Sequence, residues 1–428
     1  MALQASPEAS TPTVPFITVR RSGSDAPAGS VASVERCRGQ DPACASVRQK
    51  PACSTFTMHC SLRRFPLTKA VPLAISRGTT AAVEHLLVSI EHEGITGLGE
   101  TGGFETGHRH YDSDAIACEL EALFPRLVGL APQPLQALAP LLADLSPPAR
   151  CGLDLALHDW WGKRLGLPLH QLWGLDSELA VPTSVTLGLG SVDTVLQRLE
   201  RWWAQLPASR IKLKLGSPEG LEHDRSLVEA VATALERRRQ QRGESLELQV
   251  DANGGWDTAA ARSMLGWLAE HGVVLVEQPL PPLEDPDADC AAFAALELDC
   301  PIPLVADESC WNLADVVRLA PYVDGVNIKL LKSGGLTEAL LMAEAARRLG
   351  LGVMVGCYSD SALLNGAAAQ LLPLIQWPDL DSHLNLLDDP FEGPRLEADR
   401  LRAGLAPGLG VTAKTTGAAA AGLELGSC

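Results

Sequence analysis

The chain is 428 residues long, 46% apolar and 20% charged, which is enough for a barrel-sized core and a second domain. A net charge of −17 argues against nucleic acid or an anionic membrane as the main partner. No apolar run reaches the length of a membrane span. Eleven cysteines without a CxxC pair fit reduced thiols in a cytoplasmic compartment better than a disulfide framework, and the spacing of Cys37, Cys44, Cys53 and Cys60 is too loose for a zinc site.

Residues 1–57 are rich in Ser, Ala and Pro and lack hydrophobic periodicity, so a disordered N-terminal extension is expected, either a tail or the product of a start codon placed too early, with Met58 near the real beginning. From about Phe56 the pattern turns to strands. TFTMHCSL leads through a Pro-punctuated loop to a hairpin that turns at Glu93-Gly94. Helices follow over Asp114–Phe124 (stopped by Pro125), Leu135–Leu145 and Ala149–Leu165, the last capped by Gly166. Strands followed by helices make an α+β capping domain over 58–178.

After Val181 the rhythm becomes strand, helix, strand, helix. Strands are expected near Val181–Leu187, Ile211–Leu215, Leu246–Asp251, Val273–Glu277, Leu304–Asp307, Gly325–Lys329, Val353–Cys357 and Pro378–Asp381. Eight strands with helices between them predict an α/β fold, a modified TIM barrel of (β/α)7β form over 179–387 whose eighth helix is lost. The Pro/Gly-rich tail, about 388–420, is expected to fold back and complete the capping domain.

Three successive strands end in an acid: Asp251, Glu277 and Asp307. Any one strand-tip acid is commonly a helix cap, but three adjacent carboxylates without His or Cys suit a hard cation, Mg²⁺ above all. On the second strand, IKLKL alternates Lys212 and Lys214 with apolar residues, an ordinary wet-face pattern on an open sheet. In a barrel wrapped by helices the same alternation sends both lysines into the lumen, where each would depress the other's pKa towards that of a general base. Lys329 on the sixth strand lies diametrically opposite Lys214. Two opposed lysines flanking a divalent ion can remove a proton α to a carboxylate from one face and return it to the other, through an enediolate. Asp379 and Asp381, two apart on the last strand, either cap a turn or clamp a cationic group such as a substrate ammonium.

KLK at 212–214, DANGGW at 251–256, EQP at 277–279, ADES at 306–309 and NIKLLKSGG at 327–335 resemble the muconate-lactonising subgroup of the enolase superfamily. The DLD at 379–381 is similar to the mark of its dipeptide epimerases, of L-Ala-D/L-Glu type. The resemblance runs from about Phe56 to Val411 and includes PLTK at 66–69 and GLDLALHDWWGKRLG. It implies Mg²⁺ held by Asp251, Glu277 and Asp307, and acid/base catalysis by Lys214 and Lys329, with Lys212 tuning Lys214. It also implies a dipeptide substrate whose ammonium meets Asp379 and Asp381. Arg77, in the loop after PLTK, would meet a substrate carboxylate or remain solvated, and Glu308 would pair with a catalytic lysine. Asp360 stands where many relatives carry Glu, on a strand tip expected to line the pocket. A homo-oligomer is expected by analogy alone. Two other readings are an N-acylamino acid racemase or o-succinylbenzoate synthase of the same superfamily, and a catalytically silent barrel that serves as a binding protein.

Overall fold

The computed structural model describes residues 57–298 and 300–414. The expected N-terminal extension, and three of the four clustered cysteines, lie outside the described residues.

Eight strands, Ser184–Leu187, Arg210–Lys214, Glu247–Asp251, Val273–Glu277, Leu304–Ala306, Gly325–Ile328, Gly352–Gly356 and Trp377–Asp379, form one sheet in which each pairs in parallel with the next. A principal helix lies between each consecutive pair, and only a 3-10 turn, Ser382–Asn385, follows the eighth strand. This is the (β/α)7β barrel. Five of its helices begin where the sequence supplies a side-chain cap. Ser191, Asp257, Asp285, Asn312 and Ser361 each accept a first-turn backbone N–H with the side chain. Ile211 and Leu213 are fully buried on one face of the second strand, while Lys212 and Lys214 occupy the other.

Among the described residues no backbone ladder joins the first strand to the eighth, and side chains close this seam instead. Ser184 Oγ donates to Asp379 Oδ1 (2.5 Å), Thr186 N to Asp381 Oδ2 (2.6 Å) and Leu380 N to Thr183 Oγ1 (3.1 Å).

The N-terminal portion is a three-stranded antiparallel sheet, His59–Ile75, Gly78–His92 and Ile95–Gly102, packed on helices Ser113–Leu127 and Pro147–Leu165. The Glu93-Gly94 turn forms as expected, with both residues at positive φ. Gly166 caps the Pro147–Leu165 helix at φ 72°. Gly97 and Gly99 let that helix lie directly on the third strand, since a methyl group at either would overlap the carbonyl of Ala156 or Gly152.

Two local expectations are corrected. The Pro-punctuated loop is strand: His59–Ile75 stays paired through Pro66 and absorbs the rest in a register shift between Thr68 and Leu73. Pro125 does not stop its helix, which runs to Leu127. A proline so close to the end costs only one bond in a turn that would fray anyway.

The C-terminal segment packs on these elements. Leu387 N donates to Thr68 O (2.9 Å), Phe391 meets Phe65 edge-on, and Asp159 accepts from both Leu98 N (2.8 Å) and Leu409 N (2.9 Å).

Candidate active site

The parallel register sets the site. Lys214 lies beside Asp251, and Asp251 beside Glu277, on consecutive strands. Asp307 follows directly after the fifth strand. All three acids are fully buried, and each can place a carboxylate oxygen within 4.8 Å of the other two. Burying charge at this density requires compensation. Lys212 Nζ sits 2.5 Å from Glu277 Oε2, 2.6 Å from Asp379 Oδ2 and 3.4 Å from Asp251 Oδ2. Lys214 Nζ is 2.6 Å from Asp251 Oδ2, and Lys329 Nζ 2.7 Å from Asp307 Oδ2.

Electrostatics follow from these contacts. Burial alone would lower the Lys212 pKa, but Asp379, Glu277 and Asp251 outweigh it and hold this ammonium well above its ordinary range. The expected mutual depression of two neighbouring lysines is therefore not what governs Lys212. Burial and then the Asp251 carboxylate push Glu277 up to about 8 despite Lys212. Burial raises Asp307 too, yet Lys329 and Lys332 hold it well below the usual carboxylate range.

The acids fit a hard divalent cation. Their donors are all oxygen, and Glu277 Oε2 is buried without a well-directed hydrogen bond although Lys212 lies against it.

Sequence reasoning gave no role to four members of this cluster. Lys332, only 1% exposed, turns back from the short helix Leu330–Ser333 to reach Asp307 Oδ1 (2.5 Å) and Asn327 O (3.1 Å). Asn327 Nδ2 donates to Glu277 Oε1 (2.8 Å), and Asn253 Nδ2 to Asp251 Oδ2 (3.1 Å). The Tyr358 ring lies 4.4 Å from Lys329 Nζ. The motifs NIKLLKSGG and DANGGW hold the first three, and Lys332 stands one helical turn beyond Lys329.

A cavity of about 380 Å³ opens above these groups, walled in part by Lys214, Lys329, Arg77, Asn253, Leu73, Ile75, Val83, Phe104 and Tyr358. The two lysines thus open on one space from opposite strands, while the acids lie beneath its walls. Arg77 sits in the two-residue turn between the first two strands of the antiparallel sheet. It is not a free surface cation: its guanidinium donates to Asn253 O (2.8 Å) and Glu308 Oε1 (3.1 Å). Glu308 accordingly pairs with Arg77 and not with a lysine, because the turn delivers the guanidinium to it.

Asp360 does not line the cavity; Cys357, Tyr358 and Ser359 do. Asp360 turns back to accept from Tyr358 N (3.3 Å), and burial raises its pKa to about 6. Asp379 and Asp381 are also behind the cavity wall, almost wholly buried. Lys212 compensates Asp379, whereas Asp381 has no cation within ion-pair distance among the described residues. Burial and Asp379 raise its pKa.

Two family models match the chain: the mandelate racemase/muconate lactonizing enzyme N-terminal domain over residues 59–174, and the enolase C-terminal domain-like model over 194–416. A hydrophobic dipeptide epimerase from a Flavobacteria bacterium is 38% identical, over 80% of this chain and 93% of its own. An L-Ala-D/L-Glu epimerase from Bacteroides thetaiotaomicron is 33% identical over 78% and 82% respectively. Among solved structures, a dipeptide epimerase from Enterococcus faecalis complexed with Mg and L-Leu-L-Tyr superposes with a TM-score of 0.74 at 28% identity, covering 83% of this chain and 99% of that one. With both family models matched in order and such relatives spanning most of its length, the chain belongs to the mandelate racemase/muconate lactonizing branch of the enolase superfamily, among its dipeptide epimerases.

Proposed function

We propose that the protein is a Mg²⁺-dependent dipeptide epimerase that inverts the α-carbon of the C-terminal residue by two-base 1,1-proton transfer. The observation that carries this reading is the placement of Lys214 and Lys329 on one cavity, on opposite sides of Asp251, Glu277 and Asp307.

In this reading Asp251, Glu277 and Asp307 hold Mg²⁺, which when bound offsets the negative charge that develops on the substrate carboxylate as the α-proton leaves. One of Lys214 and Lys329 takes that proton and the other delivers one to the opposite face. Each must therefore cycle between amine and ammonium, with a carboxylate beside it, Asp251 for Lys214 and Asp307 for Lys329. Lys212 does not touch the α-carbon in this scheme; it fixes Asp251, Glu277 and Asp379 relative to one another. Lys332 does the same for Asp307, so that Asp307 stays in place as Lys329 changes charge. Asp381, without a paired cation, meets the substrate ammonium with Asp379 behind it.

The C-terminal side chain of the preferred substrate is apolar. Leu73, Ile75, Val83 and Phe104 line the cavity, and Arg77, the cation expected for a C-terminal glutamate, is engaged by Glu308. The naming of relatives as hydrophobic dipeptide epimerases supports this. Two aspartates where the acyl group would lie disfavour an N-acylamino acid racemase. The described cysteines are all free, which supports a cytoplasmic setting, and no described helix is long and apolar enough to cross a membrane. A homo-oligomer belongs to the same reading and is read by sedimentation velocity.

Proton NMR in D₂O with Mg²⁺ tests the reaction on L-Ala-L-Leu, L-Ala-L-Glu and an N-succinyl amino acid. Deuterium at the C-terminal α-carbon together with the D-epimer is expected, faster for the leucine dipeptide. Exchange on the N-succinyl compound alone would overturn the dipeptide assignment.

A further inference from the structure

Lys69 is a buried cation of the cavity that the mechanism leaves unused. It lies at the register shift of the first strand, on the same inward face as Phe65 and Leu67, and its backbone bridges to Leu386 beside the eighth-strand acids. It is 6% exposed and lines the cavity. Among the described residues it makes no ion pair, in contrast to Lys212, Lys214, Lys329 and Lys332, each of which lies within 3 Å of a carboxylate oxygen. Cys357, Asp381 and Asp360 are the acidic groups whose fields reach it, which places it at the seventh- and eighth-strand side of the site. Arg77 lies across the cavity, against Asn253 and Glu308 after the third and fifth strands. Burial lowers the Lys69 pKa, as it must for an ammonium held in a cavity wall without a counter-ion.

A buried cation with no partner, facing a substrate-sized space, is costly unless the substrate brings the partner. Asp381 is near enough to act on Lys69 yet beyond ion-pair distance. That gap suits a residue carrying both an ammonium and a carboxylate, the ammonium towards Asp381 and the carboxylate towards Lys69. We propose that Lys69 binds the side-chain carboxylate of an acidic N-terminal residue, so that the preferred substrates are dipeptides with Glu or Asp first and an apolar residue second. This rests on the dipeptide epimerase reading, which supplies the orientation of the substrate.

The test is kcat/KM for L-Glu-L-Leu against L-Gln-L-Leu, with L-Ala-L-Glu, L-Ala-L-Gln and N-succinyl-L-Leu in the same panel, on the Mg²⁺-loaded enzyme. A hydrogen-bonded charge pair predicts a preference of roughly tenfold to a hundredfold for Glu over Gln at the first position. In Lys69→Gln that ratio falls towards one, and in Lys69→Arg it survives. A ratio near one in the unmodified enzyme, a ratio unchanged in Lys69→Gln, or a Glu preference at the second position instead would each overturn the assignment. The first and third need no variant. Turnover of N-succinyl-L-Leu with no dipeptide turned over would refute the dipeptide reading itself, a result distinct from any of these.

Discussion

Replacing Lys329 separates the two halves of the proposed reaction. In Lys329→Ala one epimer loses the only group placed to take its α-proton, while the other still faces Lys214. The structural cost is bounded. Breaking a buried ion pair typically costs about 3–5 kcal/mol when the remaining charge is stranded. Asp307 is not stranded here, because Lys332 Nζ remains 2.5 Å from its Oδ1. The loss should therefore be below about 3 kcal/mol, small enough for a folded variant whose circular dichroism matches the parent. Epimerisation in both directions should fall by about a hundredfold to ten-thousandfold, the usual worth of a positioned general acid or base. Deuterium exchange without inversion should survive on one epimer only, and Lys214→Ala should spare the other. The assay is α-proton loss in D₂O from each pure epimer. Native-rate exchange from both epimers in Lys329→Ala would refute the two-base assignment.

The Glu277 carboxyl, raised to about 8 by burial and by Asp251, must lose its proton when a cation binds. The apparent Mg²⁺ affinity should strengthen by up to about tenfold per pH unit from pH 6 to 8, followed by thermal shift, and a flat response would refute the raised Glu277 carboxyl. At a hundredfold excess over Kd the ion should add about 2.7 kcal/mol of stability. His383, half-buried beside Asn365, has its pKa lowered from 6.5 to about 4 by desolvation and by Lys414. A depressed histidine favours the unfolded state once protonated. Stability it contributes is therefore complete above pH 6.5 and lost as the pH falls towards 4, by up to about 3 kcal/mol, and His383→Asn should flatten that part of a urea-unfolding series. Glu308→Gln should release Arg77 and raise kcat/KM on L-Ala-L-Glu relative to L-Ala-L-Leu by at least about threefold; an unchanged ratio would show that Glu308 does not restrain Arg77.

The barrel was legible because each strand carries its own period and ends in a residue with a definite chemical preference. Lys212 and Lys214 could be sent inward once their alternation was set in a barrel wrapped by helices, and the three strand-tip acids could be grouped by counting strands. Groups whose position depends on an irregularity were not legible. Lys332 reaches Asp307 through a short helix that breaks the strand pattern after Ile328, and Lys69, inward by the alternation of Phe65 and Leu67, was hidden because its segment read as a loop. Glu308 was given the wrong partner because the tip of a hairpin formed some 230 residues earlier supplies Arg77. Asp360 follows its strand closely, but its backbone turns before the cavity wall does. The direction in which the Lys212 pKa moves was misread for a related reason: alternation shows which way a side chain points, not how many carboxylates other strands bring to it.

The side-chain seam of the barrel bears on how this enzyme can diversify. Asp379 and Asp381 fasten the last strand to the first through Ser184 and Thr186, so any exchange that alters their charge also loosens the join on which the catalytic register depends. Selection for a new substrate therefore meets resistance there. Lys69 and Arg77, on the antiparallel hairpin, carry no such duty to the barrel's closure and are open to replacement. In the proposed scheme reaction and preference thus fall to separable parts: a barrel that carries the proton transfer, and a detachable vocabulary of side chains above it.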